Sequence, residues 1–233
     1  AYTSVLEIPG EVDLAIIVVN AKFVLDTIDQ CHEKGIKGLC IITAGFKETG
    51  AEGAEAEKQL LTKVREYGMR CVGPNCLGVV NTHPDIRMDG RFAESLPERG
   101  NIGFVSQSGA LGGGILNILK DLNLGFAQFI SIGNQADVNA ETALEYWENE
   151  ADVEQILLYM ESIQNPANFR KLASRISKKK PILALKAGRS AAGASAASSH
   201  TGSLAGADKA ANALLGQSGV ISEYSLKDLL ETA

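Results

Sequence analysis

The sequence predicts an α/β protein built from two doubly wound, mostly parallel sheets. Three observations carry that expectation. Short apolar runs alternate with amphipathic helical stretches along nearly the whole chain. Most of the apolar runs are near-continuous, as in parallel strands covered on both faces. The alternation also breaks once, between 81 and 100, and then starts again, which divides the chain into two series.

The first series opens with "DLAIIVV" (13–19), read as a strand buried on both faces. A helix follows over about 21–34. "GLCIITA" (38–44) is the next strand, and "AEGAEAEKQLLTKVREYG" (51–68) has clear helical periodicity. "MRCVG" (69–73) is a short strand running into the turn "GPNCLG" (73–78). The stretch "NTHPDIRMDGRFAESLPERG" (81–100) is polar and turn-rich, and a domain boundary is expected there. No strand precedes "DLAIIVV" and no G-x-G-x-x-G is present. Three strands are few for this architecture, so an upstream β-α-β portion is expected to be missing.

The second series reads strand over "NIGFVSQ", helix over "GALGGGILNILKDL", strand over "GFAQFISIG" and helix over "NAETALEYWENE". "QILLYME" (155–161) is strand, "NPANFRKLASRIS" helix and "PILALKAG" (181–188) strand. An Ala/Ser/Gly-rich loop follows. Then come a helix over about 203–216, a short strand "GVISE" and a last helix "SLKDLLET".

Composition narrows the function. Of 233 residues, 45% are hydrophobic and 21% charged, as in ordinary globular proteins. A net charge of −6 argues against a general nucleic-acid binder. No apolar run is long enough to span a membrane, and the first residues lack a signal-peptide pattern. Cys31, Cys40, Cys71 and Cys76 lack zinc-ligand spacing, so no metal site is expected; free thiols and a cytoplasmic location are.

Doubly wound sheets bind ligands beyond the carboxyl ends of their strands. The turns that matter therefore follow Val19, Ala44, Gly73, Gln107, Gly133, Glu161 and Gly188. "VSQSGALGGG" (105–114) sets Ser108 and Gly109 at a strand-to-helix turn. Unpaired N–H groups and the positive dipole end there suit an anion such as phosphate; alternatively, Ser108 only caps the helix. "GPNCLG" combines the fixed φ of Pro74, the permissive Gly78 and the Asn75 amide, and serves equally as an ordinary turn. Glu161 ends an apolar strand, where its carboxylate either orients an imidazole or is merely solvated. His200 stands alone within "AASSHTGSLAG" (196–206), as a mobile nucleophile or an incidental loop histidine. His32, late in a helix, and His83, in the polar connector, carry less information. Together the anion seat, the strand-end carboxylate and the loop histidine suit a histidine that is phosphorylated in place.

At these residues the sequence resembles the α part of ADP-forming (NDP-forming) acyl-CoA synthetases, and more distantly succinyl-CoA synthetase α subunits. The resemblance runs through "EVDLAIIVVNAKFV", "ITAGFKETG", "GMRCVGPNCLGVVN", "GFVSQSGALG", "SIGNQADVN" and "SSHTGSLAG". It implies a Rossmann-like coenzyme A-binding domain over 1–97, its N-terminal part missing, and a flavodoxin-like domain over 98–233 that carries the phosphohistidine loop. It implies that His200 is phosphorylated, that Glu161 bonds to it, and that Ser108 and Gly109 receive the phosphate. Asn20, Ala21, Ala44, Gly45, Phe46, Asn75 and Cys76 would line the coenzyme A site, with Gly133 and Asn134 near the reaction centre as phosphate-binding residues. The implied reaction is acyl-CoA + ADP + phosphate ⇌ carboxylic acid + CoA + ATP. ADP, ATP and Mg²⁺ would bind an ATP-grasp portion, a β subunit or fused domain, in a hetero-oligomer; the remaining partners would be a small acid, coenzyme A and phosphate. Two other readings are a ligand-sensing synthetase-like region of a protein acetyltransferase, which the presence of both His200 and Glu161 disfavours, and a plain nucleotide-binding Rossmann protein, which the missing G-x-G-x-x-G disfavours.

Overall fold

The computed structural model describes residues 1–92, 98–122, 124–188 and 208–233. Three parallel strands, β1 (Leu14–Ile17), β2 (Gly38–Ile41) and β3 (Arg70–Val72), form a first sheet in that spatial order. Two helices cover it. In α1 (Val24–Glu33), the residues Val24, Ile28 and Cys31 recur at helical spacing and are all buried. In α2 (Ala51–Glu66) the buried face is Gly53, Glu57, Leu60 and Val64.

β1 departs from the expectation of a strand buried on both faces. Ile16 is 43% exposed and Val18, just beyond the strand, 66%. Among the described residues β1 is paired with β2 alone, which leaves its other side uncovered.

The second sheet has seven strands in the order β10-β9-β8-β6-β7-β4-β5. Five are parallel: β6 (Arg99–Ser106), β7 (Phe126–Ser131), β8 (Gln155–Met160), β9 (Ile182–Lys186) and β10 (Ile221–Glu223). Counted along the chain, they lie in the order 2-1-3-4-5, the flavodoxin-like arrangement. Among the described residues the helices between these strands are α3 (Gly109–Asp121), α4 (Ala140–Trp147), α5 (Pro166–Ile176) and α6 (Asp208–Gln217), and α7 (Leu226–Thr232) follows the last strand.

Strand structure leads into the polar connector and continues within it despite its lack of periodicity. β4 (Gly78–Asn81) and β5 (Met88–Arg91) form an antiparallel hairpin, and β4 pairs antiparallel with β7. The chain thus crosses from one sheet to the other within 73–77, upstream of the boundary expected at 97/98. β4 is apolar but only four residues long and β5 is polar, so neither produces a legible run.

The larger core lies on both faces of the second sheet. Phe104, Phe126 and Phe129 pack together, with ring centroids 5.3–6.5 Å apart. On the other face Trp147 is fully buried and its indole N–H donates to Gln128 Oε1 at 2.8 Å. That bond satisfies two polar groups that would otherwise be costly in an apolar layer.

Candidate functional site

The turns at the carboxyl ends of the first sheet converge. Thr43 Oγ1 donates to Val19 O at 2.7 Å, and Asn75 N donates to Thr43 O at 3.0 Å. A Cβ on Gly45 would lie 3.0 Å from that of Ala21. The structure thus brings together the segments of Asn20–Ala21, Ala44–Phe46 and Asn75–Cys76. Their side chains differ in access. Asn20 and Ala44 are exposed, whereas Phe46 and Cys76 are buried. Asn20 caps a short 3-10 turn by accepting from Lys22 N. Cys76 Sγ donates to Ile41 O and lies 3.9 Å from Cys40 Sγ. The bond to Cys40 and burial both push its thiol pKa up, and burial pushes Cys71 up to about 12. Both therefore stay protonated and unreactive at neutral pH.

The two sheets meet at a polar junction. Asn134, 5% exposed, donates from its amide to Glu48 Oε2 at 2.6 Å and Glu57 Oε2 at 2.7 Å, and accepts from Asn75 Nδ2 at 3.3 Å. Lys47 bridges the same group, with its ammonium on Asn134 O and 3.3 Å from Glu57 Oε1. Gly133 has φ +51°, and a Cβ there would fall 2.3 Å from Pro74 O, so only glycine allows this approach. Burial tends to raise the Glu48 pKa. Hydrogen bonds from Asn134 and from the N–H groups of Gly45 and Phe46 outweigh it and hold the carboxyl below its usual range. Both amide N–H groups of Asn134 are thus committed to carboxylates, beside the turn that carries Asn75.

Glu48 and Glu57 are site residues that the sequence motifs do not single out. A signal for Glu57 existed: it occupies an apolar position of the amphipathic α2, four residues after Gly53 and three before Leu60. A carboxylate on the buried face of a helix calls for a partner.

In the second sheet, β6 and β8 are neighbours, and the connections that leave them run to opposite sides of the strand order. The crevice beyond their carboxyl ends is the switch point where such folds bind ligands. Ser108 and Gly109 stand on one lip, at the start of the 13-residue α3. The Ser108 hydroxyl accepts from Leu111 N at 3.4 Å and its carbonyl from Gly112 N at 3.0 Å, so the capping role is realised, though by a long side-chain bond. A Cβ on Gly109 would lie 3.4 Å from Leu77 N, placing α3 against the turn that holds Cys76. Glu161 stands on the other lip. Its N–H donates to Gln107 Oε1 at 2.7 Å. It also borders a pocket of about 520 Å³, shared with Ser162, Arg170, Lys186, Ala210 and Leu214. His200 lies outside the described residues. Among the described residues, no group of three His, Cys, Asp or Glu side chains is placed to hold a metal ion, and no helix is long and apolar enough to cross a membrane.

Comparison with known proteins adds to this geometry. A CoA binding domain model matches residues 1–82, and a model of the succinyl-CoA ligase like flavodoxin domain matches residues 99–233. The chain is 48% identical over 233 residues to the acetate–CoA ligase (ADP-forming) II subunit alpha of Pyrococcus furiosus, covering 100% of this chain and 50% of that protein. It is 41% identical over 235 residues to the 4-hydroxybutyrate–CoA ligase (ADP-forming) of Nitrosopumilus maritimus, covering 100% of this chain and 34% of that protein. Among solved structures it resembles the dinucleotide forming acetyl-coenzyme A synthetase 1 of Ca. Korarchaeum cryptofilum in complex with phosphate and ADP, with a TM-score of 0.93 and 37% identity over 99% of this chain and 49% of that one. The chain thus spans between a third and a half of the length of these relatives.

Proposed function

The chain belongs to the family of ADP-forming acyl-CoA ligases, and from that premise we propose that it is the α segment of such an enzyme, catalysing acyl-CoA + ADP + phosphate ⇌ carboxylic acid + CoA + ATP. A phosphate oxygen attacks the thioester carbonyl, the C–S bond breaks, and CoA leaves as its thiol, giving an acyl phosphate. A ring nitrogen of His200 attacks the phosphorus, and the carboxylate leaves. The phosphohistidine then passes its phosphoryl group to ADP on an ATP-grasp β subunit or fused domain, which would also hold Mg²⁺ to offset the charge of the nucleotide phosphates. The enzyme is then a hetero-oligomer or a longer fused chain, and works in the cytoplasm.

Each residue has a task in this scheme. The turns of Asn20–Ala21, Ala44–Phe46 and Asn75–Cys76 receive coenzyme A over the first sheet. The N–H groups at Ser108 and Gly109 meet the phosphoryl oxygens, where the α3 dipole favours negative charge. Gly133 and Asn134 shape the floor between the two sites, Asn134 by fixing the turn of Asn75. Glu161 accepts an imidazole N–H, sets the tautomer and stabilises the positive ring during transfer.

The observation that carries the reading is that Glu161 and the start of α3 follow the ends of two neighbouring parallel strands, β8 and β6, and are tied there by the bond from Glu161 N–H to Gln107. Incubation of the assembled enzyme with γ-labelled ATP tests it. This chain should acquire a label that is acid-labile and base-stable, as a phosphoramidate is. In Glu161→Gln the label should appear at least about 100-fold more slowly, since removing a carboxylate that orients a catalytic imidazole costs up to on the order of 10⁴-fold. A parental labelling rate in that variant would remove Glu161 from the scheme.

A further inference from the structure

Gln107 spans the β6–β8 crevice. Its Oε1 accepts from the N–H of Glu161 at 2.7 Å and from the N–H of Ser162 at 3.0 Å. Its Nε2 donates to Ser162 Oγ at 3.1 Å, and its own N–H donates to Tyr159 O at 3.0 Å. Four bonds thus run from this one residue to the end of β8, and the side chain is 7% exposed. Gln107 directly precedes Ser108, at the mouth of α3. The same three-residue stretch that opens the anion seat therefore grips the turn that carries the carboxylate.

We propose that Gln107 is the positioning residue for Glu161, holding the 161–162 backbone so that the carboxylate keeps a fixed offset from the start of α3. The inference rests on the reading of Glu161 as the partner of the imidazole. Two features favour a positioning role over simple turn closure. The turn lies at the ligand edge of the sheet, where β8 ends beside the start of α3. The clamp is also a neutral amide, which fixes the turn without altering the charge of Glu161. Displacements of about 1 Å at such sites cost roughly 100-fold in rate.

The test uses the assembled enzyme and two substitutions. Gln107→Leu removes the shared acceptor. Phosphorylation of His200 should slow about tenfold or more, with KM for coenzyme A and ADP within about twofold of the parent. Gln107→Glu keeps an oxygen for both N–H groups and so should recover most of the rate at neutral and higher pH. Its added negative charge should move the acid limb of the pH–rate profile upward, because a neighbouring carboxylate makes Glu161 harder to ionise. The double variant Gln107→Leu/Glu161→Gln should be no slower than Glu161→Gln alone, since one residue acts through the other. Parental labelling in Gln107→Leu, or full multiplication of the two single effects, overturns the proposal. If Gln107→Leu does not fold, an unmoved acid limb in Gln107→Glu overturns it instead. A parental rate in Glu161→Gln defeats the underlying reading; a slow Glu161→Gln beside an unaffected Gln107→Leu defeats this inference only.

Discussion

His200→Ala should leave the assembled enzyme folded and unable to acquire label from γ-labelled ATP, with net ATP formation down by on the order of 10³-fold or more. The size follows from its task. In the proposed scheme the phosphoryl group has no other carrier between the acyl phosphate and ADP, so the loss is not shared with other residues. Binding should survive, because coenzyme A would be held over the first sheet and ADP by the partner. The checks are label incorporation, ATP yield from acyl-CoA, and coenzyme A affinity by calorimetry. Retained base-stable label in the variant would place the carrier elsewhere. Weakened coenzyme A binding with normal labelling would give the 196–206 stretch a different role.

Asn134→Ala should destabilise the fold more than its small change in volume suggests. Two charge-assisted bonds, to Glu48 and Glu57, are lost together at a junction that is closed to water around the Asn134 side chain. A loss of about 3 kcal/mol is expected near neutral pH. The pH dependence identifies the cause. In the parent the Glu48 pKa lies below its unfolded value. That group therefore contributes stability that is fully present above pH ~4.3 and is lost as pH falls through the folded pKa. Without Asn134 the Glu48 pKa rises toward its ordinary value, so the variant has less to lose on acidification. Denaturant midpoints measured between pH 7 and pH 3 should therefore converge as pH falls. A constant gap across that range would assign the loss to packing rather than to the carboxylates.

The parallel strands were legible because apolar runs such as "ILLYM" and "ILALK" encode burial on both faces. "DLAIIVV" is as apolar as a central strand, whereas among the described residues β1 has one neighbour, β2, and its exposure follows from that. The β4–β5 hairpin was not legible, since its pairing with β7 is non-local and its strands are four residues each. At the site, Ser108 and Glu161 could be picked out from their places at strand ends. Gln107 could not, because a glutamine between two serines gives no sign of the turn it holds more than fifty residues away. Glu48 was hidden in the same way, by partners on its own turn and on the other sheet.

The β4–β5 hairpin also dictates how the protein can be divided. A fragment cut at 97/98, where composition invites the cut, would strip β7 of its antiparallel neighbour and leave "FAQFIS" as a bare sheet margin. Such a margin offers unpaired backbone to any copy it meets and should drive self-association. A fragment beginning near residue 73 would retain the hairpin as its own selvedge and should stay monodisperse, so a well-behaved half-molecule has to take the hairpin of β4 and β5 with it.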